Sequence, residues 1–326
     1  MHIRIFEKDQ RAVSEIGLGC WQIGGNWGDV TDATAKGILE ASVESGITFL
    51  DTADVYGGGR SERLIGEHLK RHPDSAFVAT KIGRGTMYPD DYTPAKMEAA
   101  VDACLARLQV DCLGLVQLHC IPFPALREAA VWDALRALQA KGKIRQFGAS
   151  VETMDEALWC VDHVEDLYSL QIIFNMVRQK AIGTLFPKAQ AKDVGLIIRV
   201  PLASGLLSGQ WDAETRFGAD DHRNFNKDGA AFNVGETLAG LPFEAGLQVV
   251  DALEQLKPAG VPMAQWALRW ILDHPAVTTV IPGASKPEQV FANAGASALA
   301  PIPEATHRRL QALYESEIAG LIRGPY

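Results

Sequence analysis

Short apolar runs alternate with longer amphipathic segments along most of the chain. Eight of these runs are nearly continuous in apolar residues, which is typical of parallel strands that helices cover on both faces. The predicted strands are residues 14–19, 46–51, 76–81, 112–119, 144–150, 168–174, 195–200 and 277–282. Eight strands separated by helix-length segments predict an α/β fold, a (β/α)8 TIM barrel, whose active site lies at the C-terminal ends of the strands.

The intervening segments carry the signals of helices. Thr93 before Pro94 is typical of an N-cap followed by proline at the first helical position. Gly142 follows "LQAK" and is expected to end a helix there. The segments with a 3.6-residue period include residues 33–45, 94–108 and 126–140.

One connection, after the seventh predicted strand, is unusually long. Residues 203–241 are rich in Gly, Asp and Asn, and loops of this length tend to be functional lids or disordered segments. No linker divides the chain, so residues 1–326 are predicted to form one domain. The rival fold is a doubly wound dinucleotide-binding sheet. Its GxGxxG fingerprint is absent, because Gln22 stands where the third glycine belongs.

Charge and composition limit the possible cellular locations and binding partners of the protein. The formal net charge of −9 argues against nucleic acid as a partner. No apolar run reaches the roughly 18 residues of a membrane span, and the N-terminus lacks the apolar region of a secretory signal. Five cysteines, none in a CxxC pair, indicate reduced thiols and no zinc spacing. These features predict a cytoplasmic protein without a membrane partner; they leave its oligomeric state open.

Four polar side chains fall at or near the ends of consecutive predicted strands. Asp51 ends the second strand, and Tyr56 follows five positions later. Lys81 ends the third strand and His119 the fourth. Because the C-terminal ends of barrel strands meet at one mouth, these side chains are expected to converge there.

These residue types suit proton transfer to or from an oxygen on carbon. A nearby ammonium such as Lys81 lowers the pKa of a tyrosine, and Asp51 supplies the counter-ion that a buried lysine needs. His119 can donate a hydrogen bond to a substrate oxygen or assist the proton transfer. Taken singly, each residue also fits a structural role. The combination of four at one mouth favours catalysis.

A wider pattern resembles the aldo-keto reductase family. It comprises "FLDTADVYGGGRSERLIG", "ATK", "LGLVQLH" and "VIPGAS", and it extends over residues 16–297. The resemblance is to a bacterial member whose cofactor motif is nearest to the subgroup related to potassium-channel β-subunits. It implies a metal-free barrel that binds NADP(H) more readily than NAD(H) and transfers hydride between nicotinamide and a carbonyl or alcohol. It further implies that Tyr56 is the general acid/base, Lys81 tunes its pKa, Asp51 pairs with Lys81, and His119 orients the substrate.

The resemblance also assigns binding positions. Ser150 and Gln171 match residues that hold the nicotinamide carboxamide, residues 201–209 match the segment that wraps the pyrophosphate, and residues 281–293 match the grip on the 2′-phosphate and adenine. The predicted substrate-site residues are Trp21, Tyr56, His119 and Phe123, although Phe123 could instead cap the barrel rim. The predicted cofactor-binding residues are Gly19, Trp21, Asp51, Ser150, Gln171, Asn175, Arg199, Pro201, Leu202, Gly205, Leu207, Gly209, Ile281, Gly283, Ser285, Lys286, Gln289 and Asn293.

Two positions depart from the family pattern. Arg199 stands where relatives often have an aromatic residue that stacks on the nicotinamide. A planar guanidinium can stack, but its charge disfavours the positive ring of the oxidised cofactor, so Arg199 is expected to favour the reduced form. It is also expected to attract an anionic substrate group. Val151 replaces the usual asparagine after Ser150, so one carboxamide contact is expected to be missing.

Two other functions fit part of the pattern. The likeness to channel β-subunits allows a nicotinamide-binding regulatory module with little turnover, although all four catalytic positions are intact. A metal-dependent hydrolase needs several ligands at strand ends, and only Asp51 and His119 qualify. The prediction is therefore an oxidoreductase of aldehydes, ketones or sugars. Its specificity is expected to depend on the C-terminus and on the loops 21–29, 83–92, 120–125 and 217–238.

Overall fold

The computed structural model of the chain describes residues 1–25, 30–219 and 221–326. Residues 26–29, which belong to one of the predicted specificity loops, lie outside the described residues, as does residue 220 of another. The strands are β1 Ile3–Phe6, β2 Arg11–Ser14, β3 Leu18–Gly19, β4 Phe49–Asp51, β5 Phe77–Ile82, β6 Leu113–His119, β7 Ile144–Ser150, β8 Ser169–Ile173, β9 Gly195–Arg199 and β10 Val277–Val280.

Strands β3 to β10 form a parallel barrel in which each strand pairs with the next one along the chain. The ring closes through parallel bridges between Ile16 and Val280 and between Gly19 and Gly283. Glycine is required at position 19, because a Cβ there would lie 2.8 Å from the carbonyl oxygen of Ile281. The predicted eight-stranded (β/α)8 barrel is confirmed.

Helices connect the strands and cover the outside of the barrel. No helix within the described ranges is both long and apolar enough to cross a membrane. The helices are α1 Trp21–Gly24, α2 Asp32–Glu44, α3 Arg60–Arg71, α4 Pro94–Leu108, α5 Phe123–Leu126, α6 Ala129–Ala140, α7 Met154–His163, α8 Ala181–Ala191, α9 His222–Phe225, α10 Phe243–Glu254, α11 Met263–Leu272, α12 Pro287–Gly295 and α13 Glu304–Leu313.

The predicted helix boundaries hold at some ends and fail at others. Thr93 is the N-cap residue of α4, but its side chain makes no capping hydrogen bond. The predicted helix 126–140 is wrong at its start, because Glu128 is extended and separates α5 from α6. Gly142 lies just beyond α6 with φ +73°, a left-handed conformation that glycine adopts without steric cost.

An N-terminal hairpin, which the sequence did not predict, closes the lower end of the barrel. Strands β1 and β2 pair antiparallel, and Phe6 is buried at the N-terminal ends of the barrel strands. Its ring centroid lies 4.9 Å from that of Tyr168 and 6.1 Å from that of Phe49. Gly195 leaves room for this ring, since a Cβ there would lie 2.2 Å from a Phe6 ring carbon.

The long connection between β9 and α10 is folded and lies at the C-terminal ends of the strands. The Asn226 side chain accepts hydrogen bonds from the backbone of Ala231 and Phe232 and donates one to Thr237. The Phe232 ring reaches Trp21 of α1, with centroids 6.1 Å apart. The segment therefore forms part of the wall around the mouth of the barrel.

Replacing Phe6 by alanine is expected to lower the free energy of unfolding by about 3–5 kcal/mol, because a buried aromatic ring is lost and the barrel end keeps its cavity. Urea unfolding followed by circular dichroism measures this change. Ile3→Ala on the same strand is the control, since Ile3 is 54% exposed and should change stability little. Equal effects of the two substitutions would contradict the conclusion that Phe6 stabilises the lower end of the barrel.

Candidate active site

The four predicted catalytic residues converge at the mouth of the barrel. Asp51 ends β4, Lys81 lies near the end of β5, and His119 ends β6. Lys81 Nζ lies 2.5 Å from Asp51 Oδ1 and 3.2 Å from the Tyr56 hydroxyl oxygen. It also donates a hydrogen bond to the Thr52 carbonyl oxygen at 2.9 Å. The lysine thus connects the carboxylate to the phenol.

Burial and charge act on these groups in opposite directions. Burial raises the pKa of Tyr56, and the nearby Lys81 ammonium opposes that rise. Burial alone would lower the pKa of Lys81, but Asp51 and Tyr56 raise it above its usual value, so the ammonium keeps its proton. Burial, followed by the charges of Arg84 and Lys81, holds the pKa of His119 well below its usual value. His119 is therefore neutral near pH 7.

The Tyr56 loop is held by close backbone packing. Gly57 has φ +59°, and a Cβ on it would lie 1.9 Å from the Gly24 carbonyl oxygen, so the loop fits directly against α1. On either side of the phenol are aromatic rings. The Trp21 ring stacks at a centroid distance of 6.0 Å, and the His119 ring meets Tyr56 edge-on at 5.8 Å.

A further anchor lies where this loop enters α3. Glu62 is fully buried and accepts hydrogen bonds from Thr80 Oγ1 of β5 and Arg107 Nε of α4, both at 2.5 Å. Thr52 donates to Ser61, which in turn donates to the Cys20 carbonyl oxygen. Both ends of the Tyr56 loop are therefore fixed to the barrel.

One cleft of about 440 Å³ runs from Tyr56 and His119 towards α12. It holds most of the predicted binding residues: Gly19, Trp21, Asp51, Ser150, Gln171, Arg199, Pro201, Leu202, Gly205, Ile281, Gly283, Ser285, Gln289 and Asn293.

At the catalytic end of the cleft, Ser150 and Gln171 are cross-strand neighbours on β7 and β8. Gln171 Nε2 donates to Asp51 Oδ2 at 2.7 Å, and Ser150 donates to Gln171 Oε1 at 3.5 Å. Asp51 therefore fixes both the lysine and this amide. Val151 contributes its carbonyl oxygen, which accepts a hydrogen bond from Arg199 at 3.1 Å.

At the far end of the cleft are a tight turn after β9 and the start of α12. In that turn Ser204 and Gly205 have φ of +58° and +103°, and the Gly205 N–H donates to the Leu202 carbonyl oxygen at 2.9 Å. Across the cleft, α12 begins at Pro287, and Ser285 donates through both N and Oγ to Gln289 Oε1.

Several predicted residues lie outside the cleft lining. Lys81 is buried beneath it. The Asn175 side chain bonds to the backbone of Val200 and Val177, so it shapes the turn after β9. Phe123 packs against Trp159 with ring centroids 6.3 Å apart, which fits the barrel-rim alternative rather than a substrate contact. Three more predicted residues are absent from the lining: Leu207, Gly209 and Lys286.

Sequence reasoning missed a charged cluster at the mouth. Glu236 of the long connection is buried, and its Oε1 lies 2.6 Å from Arg84 and 3.5 Å from Arg199. Glu152 lies 2.8 Å from Arg84. Two guanidinium groups thus face two carboxylates, and the formal charges cancel. The charge of Arg199, which is expected to favour the reduced cofactor, is therefore partly balanced by Glu236. The sequence around Glu236 has no hydrophobic periodicity from which its position could be predicted, because the segment is irregular.

The sequence matches the model of the Aldo/keto reductase family over residues 15–315. It is 30% identical over 290 residues to aldo-keto reductase YhdN of Bacillus subtilis, covering 86% of this chain and 83% of that protein. It is 27% identical to a probable voltage-gated potassium channel subunit beta of Arabidopsis thaliana, with 93% of each chain covered.

Solved structures give the same result. The glycerol dehydrogenase AKR11B4 from Gluconobacter oxydans matches with a TM-score of 0.78 and 26% identity, covering 99% of this chain and 98% of that chain. An aldo-keto reductase from Klebsiella pneumoniae in complex with NADPH matches with a TM-score of 0.72 and 25% identity, covering 96% of each chain. On the family match over residues 15–315, the chain belongs to the aldo/keto reductase family.

Proposed function

We propose that the protein is an NADP(H)-dependent oxidoreductase that interconverts a carbonyl and an alcohol, with Tyr56 as the general acid/base. The observation that carries this proposal is the chain of contacts from Asp51 through Lys81 to Tyr56, at 2.5 Å and 3.2 Å. An ion pair with a purely structural role does not require a phenol beside the lysine. A proton-transfer site does require such a group.

The residues divide the work as follows. Bound NADP(H) supplies or accepts the hydride. In reduction the Tyr56 hydroxyl donates its proton to the substrate oxygen, and in oxidation the phenolate accepts it. Lys81 stabilises the phenolate, and Asp51 keeps Lys81 protonated. Neutral His119, beside Tyr56, orients the substrate oxygen by a hydrogen bond and is not the proton source.

The cleft supports the cofactor assignment. Gln171 and Ser150 would hold the carboxamide, the Ser204–Gly205 turn the pyrophosphate, and Ser285 with Gln289 the 2′-phosphate. Ser285 donates to Gln289, and phosphate binding would exchange those hydrogen bonds. The NADPH complex of the Klebsiella pneumoniae relative also favours NADP(H) over NAD(H).

The regulatory alternative rests on the likeness to a channel β-subunit. The complete proton-transfer chain favours turnover instead. The substrate class is an aldehyde, ketone or sugar, and the name of the glycerol dehydrogenase relative favours polyols among the alcohols to be screened first.

Replacing Tyr56 by phenylalanine is expected to reduce NADPH-dependent reduction of 4-nitrobenzaldehyde by about 10²- to 10⁴-fold, because the general acid is lost. The absorbance at 340 nm follows turnover. NADPH affinity should stay within a few-fold of that of the unmodified protein. Tyr168→Phe is the control, since Tyr168 lies at the opposite end of the barrel, where its hydroxyl donates to Asp9 at 2.8 Å. Cofactor binding without turnover of any carbonyl by the unmodified protein would favour the regulatory alternative.

Replacing Lys81 by methionine is expected to shift the pH profile of alcohol oxidation to higher pH. The ammonium lowers the pKa of Tyr56, so its removal raises that pKa, and oxidation requires the phenolate. Lys81→Arg keeps a positive charge and should shift the pH profile of alcohol oxidation less. If the single variant does not fold, the double variant Asp51→Asn/Lys81→Met removes both buried charges and should show a smaller shift in the same direction, because the Asp51 charge raises the pKa of Tyr56. An unchanged pH profile of alcohol oxidation would exclude the proposal that Lys81 lowers the pKa of Tyr56.

The charge balance around Arg199 should affect the two cofactor forms differently. Replacing Glu236 by glutamine leaves Arg199 less neutralised and is expected to weaken NADP⁺ binding relative to NADPH by about tenfold, because the oxidised nicotinamide is positive. Fluorescence titration with each form measures the ratio of dissociation constants. Glu152→Gln is the comparison variant: Glu152 lies 2.8 Å from Arg84 and acts on Arg199 only at longer range, so it should change the ratio less than Glu236→Gln does. Equal ratios in all three proteins would contradict this charge balance.

A further inference from the structure

A second cluster of ionisable side chains lies at the opposite end of the barrel from Tyr56. Glu40 lies in the second half of α2, His68 lies in the last turn of α3, and His72 is the residue that follows α3. The rings of His68 and His72 lie side by side, with centroids 4.7 Å apart. The cluster precedes the start of β5 at Phe77, whereas the catalytic Lys81 lies near the other end of that strand.

The atoms that could bind a metal converge between the two helices. Glu40 Oε1 lies 3.6 Å from His68 Nδ1, and Glu40 Oε2 lies 2.7 Å from His72 Nε2. One candidate ligand atom from each residue lies within 4.8 Å of the others. Ligands bonded to tetrahedral Zn²⁺ at about 2.0–2.1 Å are separated by roughly 3.3 Å, so small side-chain rotations suffice.

The hydrogen bonding of His68 is the independent observation that points to a ligand. His68 is only 1% exposed, yet neither ring nitrogen has a hydrogen-bond partner among the described residues. Buried polar groups nearly always have a partner, and leaving one without a partner is costly. A ring nitrogen of a buried imidazole thus lies 3.6 Å from a carboxylate oxygen, longer than a normal hydrogen bond and short enough for both atoms to bind one ion.

One cation already competes for this gap. Arg71 Nη1 lies 2.6 Å from Glu40 Oε1, but its side chain is 49% exposed and can turn into solvent. Two imidazoles and one carboxylate form a ligand set that suits Zn²⁺ with water in the fourth position.

We propose that Glu40, His68 and His72 form a Zn²⁺-binding site that joins α2 to α3 at the N-terminal end of the barrel. Its role is structural, because the reacting groups lie at the other end of the strands. A metal bound to the folded chain in this way stabilises the fold by mass action.

The test uses tag-free full-length protein stripped of metal with EDTA. Competition against a chromogenic chelator should show one Zn²⁺ per chain with micromolar or tighter affinity, and the melting temperature should rise with added Zn²⁺. Glu40→Gln, which is nearly isosteric, and His72→Ala should each weaken binding at least tenfold and abolish the rise. Co²⁺ in place of Zn²⁺ should give visible absorption bands of a tetrahedral site in the unmodified protein but not in these two variants.

Two further variants separate this site from general surface binding. Glu67→Gln is the matched control, because Glu67 pairs with Lys36 across the same two helices at 3.0 Å and should leave binding unchanged. Arg71→Ala removes the competing cation and should bind Zn²⁺ at least as tightly. No stoichiometric binding by the unmodified protein, or binding that survives Glu40→Gln, would overturn the proposal. Neither result would bear on the oxidoreductase function.

Discussion

The buried ion pair between Asp51 and Lys81 is the contact on which the rest of the mouth depends. Burying two charges is costly unless each finds further partners. Lys81 finds them in the Thr52 carbonyl oxygen and the Tyr56 hydroxyl, and Asp51 finds one in the Gln171 amide. The contacts that stabilise the buried ion pair therefore also position the Tyr56 phenol and the Gln171 amide.

Closure of the barrel brings these partners together. Asp51, Lys81 and Gln171 come from strands distant in sequence, and their register depends on a complete ring. The ring closes where Ile16 meets Val280 and Gly19 meets Gly283, and its lower end is filled by Phe6 of the hairpin. The packing below the strands and the proposed proton-transfer site above them thus depend on the same barrel.

Much of this architecture could be predicted from the sequence, because apolar runs and polar residues at strand ends are visible in short stretches of the chain. Asp51, Lys81 and His119 could be placed at one mouth from the position of each at the end of a run. Glu236 and Arg84 could not, since an irregular segment carries no period that fixes which way a side chain points. The hairpin was missed for a related reason: alternation in residues 3–6 indicates a strand but not the barrel end on which it packs. Likewise, the helical spacing of His68 and His72 gives no hint of Glu40 on the neighbouring helix.

The contact between Gly57 and Gly24 limits how the substrate pocket can diverge. The position of Tyr56 is secured by backbone against backbone, so no side chain is free to compensate for a change at either glycine. A substitution at either glycine would therefore displace the backbone that carries Tyr56. Adaptation to new substrates has to proceed at other residues of the mouth, while the glycine pair keeps the phenol in place.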